Sequence, residues 1–455
     1  MKPWSLVFFA AFLLLVAAIG GSSRGDEIVL VVLRPAAVLA LGYFAWRLTS
    51  AQFVEFRFLF LLLIGCVALV AIHLIPLPPW LWQALPGRAL TATIDRTVGL
   101  AGVWRPISLA PHTTWNALFA LAVPLAALAG FAGLERAHRR QVLAVIVGIG
   151  LLSGLVGLFQ AIGPPEGPFH YYPSTQGSFA IGLLANRNHQ ALLLACLFPM
   201  IATAISCWGP RAAKPWLVGM IALGLAALVV PLLLLTGSRS GLLLGAVGLL
   251  AATILYRAPQ RSDAVREPSR YRRFAPIALV GAAVAGLVGV TLAASRGFAV
   301  DRLLVGEVGG ELRLSLWTST ADLARDYFPW GSGLGAFVET YEIIEPHAAL
   351  GLGYANHAHN DVLEVALGGG LPALVLLVVA LVAWGRASWR VFRSPRTEDG
   401  STDLARLGSI VLAMAAIASL TDYPLRVPLI AALAVVAAAW LTQAAVPRSR
   451  RHATS

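Results

Sequence analysis

Two histidines stand two residues apart, His357 and His359, followed by Asn360 and Asp361, and at Val362 the chain enters an apolar span. A neutral imidazole is a natural general base for taking a proton from a hydroxyl near neutral pH. His359 borders the span, so the helix beginning at Val362 fixes its backbone. His357 reads as a supporting residue deeper in the loop, where placement is looser. Asn360 and Asp361 have two readings: they hold the His359 ring in one tautomer, or they cap the helix. Upstream, Ser238-Arg239-Ser240 lies where one apolar span ends and the next begins. A helix N-terminus beside a guanidinium makes an anion site, since backbone N–H groups and a bidentate fork aim at one spot. The competing reading is an arginine snorkelling to lipid headgroups. Asn186-Arg187-Asn188-His189 opens another span, either as donors for phosphate or sugar hydroxyls or as a plain polar helix start. Arg313 and Trp317, four apart, share one helical face. Titratable groups at the mouths of membrane helices are costly to keep there, and so are candidates for function.

The elements that must position these residues are almost all apolar. Of 455 residues, 58% are hydrophobic and 12% charged, against about a quarter charged in soluble proteins. Windows of about 20 apolar residues mark membrane spans. Twelve are found, near 4–20, 27–46, 58–76, 114–134, 141–162, 188–206, 216–235, 241–256, 275–294, 362–384, 405–420 and 427–446. The expected fold is an all-α polytopic membrane protein of about 12 helices. Residues 1–295 hold helices one to nine, 296–361 a large loop with the HAHND segment, 362–446 helices ten to twelve, and 447–455 a tail. Within the loop, Leu312, Leu316, Leu323 and Tyr327 fall on one stripe of an amphipathic helix.

With the N-terminus in the cytoplasm, alternation sends 22 of the 34 basic residues but only 7 of the 22 acidic ones to the cytoplasmic side. The high pI is then a positive-inside bias, not a nucleic-acid surface, which would interleave basic and stacking aromatic residues. Both termini are cytoplasmic on this reading, and the His359 segment lies on the opposite face. Cys66, Cys196 and Cys207 have no metal-ligand spacing and read as small packing residues. Arg34 falls inside the second span and must face a polar cavity or a partner. No Asp-x-Asp, P-loop or HExxH pattern occurs, so neither metal nor cofactor is expected. A transporter would also have twelve spans, but it should carry charged or broken-helix positions at mid-membrane. Here most of the candidate charges gather at the outer rim.

The ordered series Ser238-Arg239, Arg313 to Trp317, Pro329 to Phe337, His359-Asn360-Asp361-Val362-Leu363-Glu364 and Gly369-Gly370-Leu371-Pro372 resembles the O-antigen ligase and polymerase superfamily of bacterial envelopes, over about residues 170–385. The resemblance implies a metal-independent inverting glycosyltransferase of the inner membrane. Such an enzyme moves a glycan from undecaprenyl diphosphate to a hydroxyl on the periplasmic face. On the resemblance, Arg239 and Arg313 would hold the diphosphate and His359 would be the base; Arg187, Asn188 and Ser238 are further candidate binding residues from their own helix-start positions. The acceptor would be lipid A–core in a ligase or the growing polysaccharide in a polymerase. One position departs from the pattern: Gly368 stands where a Glu is often found.

Overall fold

The computed structural model describes residues 4–25, 27–164, 167–172, 179–208, 215–257, 309–347, 354–397 and 399–445. These are helical apart from loops and one isolated antiparallel bridge, Leu77 to Arg105. The first half carries α1 (Trp4–Ile19), α2 (Leu30–Arg47), α3 (Ser50–Glu55), α4 (Arg57–Ile72), two short helices α5 (Pro79–Trp82) and α6 (Ala89–Thr97), then α7 (Pro111–Ala120), α8 (Ala122–Ala132) and α9 (Arg136–Ile162). The second half carries α10 (Arg187–Trp208), α11 (Pro215–Leu235), α12 (Arg239–Leu255), α13 (Gly309–Asp326), α14 (Phe337–Tyr341), α15 (Asp361–Arg393), α16 (Ser401–Ser419) and α17 (Pro428–Ala445).

Seven helices or helix pairs among the described residues are long and apolar enough to cross a membrane, and four shorter apolar helices accompany them. Eleven of the twelve apolar windows thus fall on apolar helices, while 275–294 lies outside the described residues. Buried side chains form one main core that joins α1, α2, α8, α9, α10, α12, α16 and α17. The cysteines pack as small residues: Cys196 is buried against Met414, and Cys207 lies under Gly400.

The bundle has two chemically distinct ends. At one, Arg139 makes paired 3.0 Å contacts to Glu55, Trp440 donates to the Arg139 carbonyl, and Arg396 pairs with Asp403 at 3.2 Å. At the other, the α1–α2, α9–α10, α11–α12 and α16–α17 loops converge with the segment before α15. Ala185 N donates to Gly21 O, Leu429 N to Gly20 O, and Tyr172 Oη accepts from Gly21 N. The candidate residues sit at this second end.

The expected amphipathic helix is α13. Its buried stripe is Leu316, Thr320, Leu323 and Tyr327, which packs with Phe337, Tyr341, Ala358 and Leu367; the Leu312 side chain lies outside the described residues. Each fully buried large side chain contributes roughly 1.5–3 kcal/mol, which ties the loop to the start of α15. Buried Arg88 reinforces the tie by donating to the carbonyls of Ile107 and Gly331.

Two features depart from the sequence expectation. The window read as 362–384 belongs to a 33-residue run, and that run is not one helix, because Gly370 has φ +57°. Pro372 cannot donate to the turn before it, and the loop supplies the missing partners. Leu371 N donates to Pro329 O, Ser332 N to Leu367 O, and Gly333 N to Gly368 O. A Cβ at Gly370 would lie 2.1 Å from Pro329 O, so this crossing of two backbones requires glycine. The first nine residues of α15 therefore form a half-helix carrying the site. The second lies between the windows 58–76 and 114–134, which marked no element, where α5 and α6 build local structure.

Candidate active site

The site begins with the contact between α10 and α12. A Cβ at Gly241 would stand 2.3 Å from Ala191 Cβ, and one at Gly248 2.4 Å from Ala195 O. Small residues at this spacing let the helix backbones close on each other, bringing the two N-termini side by side. Ser238 caps α12: its Oγ accepts from Gly241 N at 3.0 Å and donates to Asn188 Oδ1 at 2.8 Å. Asn186 Oδ1 likewise accepts from Asn188 N at 2.8 Å at the start of α10. Arg239 occupies the first helical position after this cap and is exposed. Arg187 lies over the Phe179 ring, 4.5 Å from its centroid.

Asp422 gathers these groups. It is buried, and its Oδ2 accepts from Asn188 Nδ2 at 2.6 Å and from Asn186 Nδ2 at 3.4 Å. Its Oδ1 accepts from Tyr423 N at 3.0 Å and faces His359 Nδ1 at 3.3 Å and His189 Nε2 at 3.5 Å. Both imidazole contacts are at ion-pair distance rather than in aligned hydrogen bonds. Burial alone would raise the Asp422 carboxyl; the imidazoles, His189 foremost, outweigh it and hold the group well below the usual carboxylate range. The Tyr423 ring packs against all three imidazoles, with centroids 4.2 Å from His357, 4.9 Å from His359 and 5.0 Å from His189. Burial, then the neighbouring Asp422, pushes its phenol above the ordinary tyrosine value, so it stays neutral.

His359 has φ +49°, unlike every other non-glycine among the described residues. Left-handed backbone at a non-glycine costs about 1–3 kcal/mol and persists where the surroundings enforce it. The conformation turns the ring back to Asp422. Neither Asn360 nor Asp361 fixes that ring, which corrects the tautomer reading of the sequence. Asn360 caps the half-helix, accepting from Val362 N at 3.0 Å and Leu363 N at 3.1 Å. Asp361 accepts from Ser419 Oγ at 2.8 Å and Arg426 Nε at 3.1 Å. A carboxylate at Nδ1 leaves the Nε2 lone pair for an incoming proton.

His357 is also more firmly held than its loop position suggests. Its Nδ1 is 2.9 Å from Glu364 Oε1 and its Nε2 is 3.2 Å from Ser23 Oγ. Glu364 Oε2 accepts from Ala358 N at 2.9 Å, and Arg426 Nη1 pairs with Oε1 at 3.2 Å. The His357 side chain is 14% exposed against 26% for His359. An imidazole bonded at both nitrogens shapes the site; one with a nitrogen to spare can act on a substrate.

Three of the segments singled out from sequence, Asn186–His189, Ser238–Arg239 and His357–Asp361, thus meet through Asp422. Arg313 lies on α13, half-buried, with no hydrogen bond or ion pair to the cluster among the described residues. At Gly368 a Cβ would stand 3.2 Å from Gly333 O; the buried carboxylate nearby is Glu364, one turn earlier. Sequence reasoning missed Asp422, Tyr423 and Arg426, and gave Glu364 no role beyond its place in the motif. The available signal was Asp-Tyr-Pro-Leu-Arg, two opposite charges in a five-residue turn between apolar spans. Among the described residues, no three His, Cys, Asp or Glu side chains converge as a metal site would need.

Residues 224–378 match the model of the O-Antigen ligase family, Wzy_C. The match spans α12, α13 and the half-helix with His359, and stops before Asp422. No curated protein matches the chain. The matched stretch is similar to the O-antigen ligase family, and the apolar helices are those of a multi-pass membrane protein.

Proposed function

We propose, with this O-antigen ligase domain as premise, that the chain transfers a glycan from undecaprenyl diphosphate to an acceptor hydroxyl, with inversion and without metal, on the periplasmic face of the inner membrane. The observation that carries the reading is the seating of His359: Nδ1 toward buried Asp422, Nε2 unengaged, beside the capped N-terminus of α12. His359 takes the acceptor proton as the hydroxyl oxygen bonds to the anomeric carbon. The bond from that carbon to the diphosphate breaks, and the electron pair leaves with the phosphate. Stabilising the departing charge needs fixed positive groups more than a further nucleophile. Arg239 and the backbone N–H groups of α12 fit that role, with Arg187 and Asn188 from α10 alongside. Arg313, on α13, is the second arginine that the resemblance assigns to the diphosphate. Asp422 positions the base by keeping the proton on Nδ1. The orientation follows from charge: the end holding Arg139, Arg396 and Arg406 is basic and faces the cytoplasm.

The test compares His359→Ala with His357→Ala in detergent, each checked for folding, with donor binding and glycan transfer measured separately. Loss of a general base costs about a hundred- to ten-thousand-fold in rate. His359→Ala should bind donor and transfer almost nothing, whereas His357→Ala should lose thermal stability first. Equal, mild defects in both would overturn the assignment.

A further inference from the structure

A cavity of about 500 Å³ is lined by His357 but not by His359. None of Asn188, Ser238, Arg239, His359 or Asp422 lines it, so it is separate from the transfer centre. Its rim is polar, with Ser22, Ser23, Arg24 and His357, and its depth is apolar, with Leu33, Leu62 and Leu376 among others. Between the two sits Arg34, on α2.

A charged side chain on an apolar helix is expensive unless it has an anionic or strongly polar partner. Arg34 donates from Nη1 to Asn116 Oδ1 at 2.9 Å, and its Nε is buried with no hydrogen-bond partner among the described residues. Among the described residues, no carboxylate lines the cavity. Arg426, which also lines it, is already paired with Asp361 and Glu364. Arg34, with Arg24 at the rim over the Tyr354 ring, makes a positive wall over an apolar floor. Its walls come from α2, α4, α7, α8, the outer half of α15 and the start of α17. Its volume is within the range of small-ligand sites, roughly 300–1,000 Å³, enough for a head and the start of a chain.

We propose that this cavity binds a phosphate-bearing lipid, its phosphate against Arg34, Arg24 and Asn116 and the first part of its chain against the leucines. The assignment does not depend on the transfer reading. It gives the protein a second amphiphile site beside His357, which lines the cavity.

Lipid retention tests it without any transfer assay. Purified, delipidated protein is titrated in detergent with undecaprenyl phosphate, with phosphatidylglycerol and with inorganic phosphate, and bound lipid is read by native mass spectrometry. The wild type should retain one lipid at low probe concentration. Arg34→Leu should weaken retention about tenfold or more, because a hydrogen-bonded charge contact is worth about 1.5–3 kcal/mol and 1.4 kcal/mol is tenfold. Arg325→Ala, on the exposed face of α13 and outside the cavity lining, should leave this retention unchanged. Stronger retention of undecaprenyl phosphate makes the occupant a polyprenyl carrier, and equal retention of phosphatidylglycerol makes it a bulk phospholipid; both support the site. Unchanged retention in a folded Arg34→Leu, or inorganic phosphate binding as tightly as the lipids, overturns it. Cys66 provides a readout in the unmutated protein, since it lines the cavity and is half-buried while Cys196 and Cys207 are buried. Its alkylation should slow severalfold with undecaprenyl phosphate or phosphatidylglycerol, and an unchanged rate with both counts against the site.

Discussion

Replacing Asp422 with Asn keeps the shape of the side chain and removes its charge, and the surrounding contacts determine the outcome. Oδ2 accepts from two side-chain amides, at 2.6 and 3.4 Å. Oδ1 accepts from Tyr423 N and faces two imidazole nitrogens. An asparagine must place its NH2 on one side or the other. On the Oδ2 side it opposes Asn188 and Asn186. On the Oδ1 side it opposes the Tyr423 N–H and drives the His359 proton from Nδ1 to Nε2, which removes the lone pair the base needs. The first orientation loses two hydrogen bonds in a buried site, at about 1–3 kcal/mol for each group left unsatisfied, so the second is preferred. With the base in the wrong tautomer, kcat should fall by roughly a hundred- to ten-thousand-fold, or about 2.7–5.4 kcal/mol on the barrier. The assay is turnover of purified Asp422→Asn with a lipid diphosphate glycan at saturating donor, beside a donor-binding measurement that should change little. Stability gives a second readout. The Asp422 carboxyl titrates below its unfolded value near 3.8, so its stabilisation is complete above about pH 4 and is lost as pH falls through the lower, folded value. The gap in stability between wild type and Asp422→Asn should be flat above pH 4 and close in acid. A folded Asp422→Asn with kcat within threefold of wild type would refute the positioning role.

Arg239→Lys should transfer nearly as poorly as Arg239→Ala, because an ammonium cannot reproduce a bidentate fork on a diphosphate; polymer transfer retained in cells by the lysine variant would make Arg239 a lipid anchor. Arg426→Met leaves Asp361 and Glu364 buried without their cation and should cost about 3–5 kcal/mol, read as a large drop in melting temperature. Ser419→Ala, which removes one hydrogen bond to Asp361, should cost about 1 kcal/mol. Reporter fusions after Arg393 should read cytoplasmic and fusions at Trp330 periplasmic, and the reverse pattern would invert the membrane orientation.

The helices and half of the site were legible in the linear chain, for a physical reason. Apolar length and polar interruptions at helix mouths are local properties, so Asn186–His189, Ser238–Arg239 and His357–Asp361 could each be read where they stand. What joins them is not local. Asp422 is an ordinary acid in a short turn, and only folding brings it against His359, 63 positions earlier in sequence. The same blindness misplaced His357. Its distance from the helix start suggested freedom, but Glu364 and Ser23 hold both of its nitrogens. Gly369-Gly370-Leu371-Pro372 was visible as a sequence, yet the break it makes needed Pro329 and Ser332 to be seen beside it.

That break at Gly370 sets a depth. Unbroken, the 33 residues of α15 would run about 50 Å, far beyond a hydrocarbon layer of about 30 Å. The portion after the break, residues 371–393, spans that layer by itself at about 35 Å. The half-helix before it, about 13 Å long, then stands among and beyond the lipid headgroups, with His359 at its tip. A hydrophilic sugar chain can meet the base there without entering hydrocarbon, while a lipid carrier keeps its tail in the membrane and offers its head at that height. The working distance between tail and base is thereby a length built into the protein. On the proposed function, bilayer thickness would control the reaction: a membrane too thick would submerge the half-helix, and one too thin would strand the carrier's head below it.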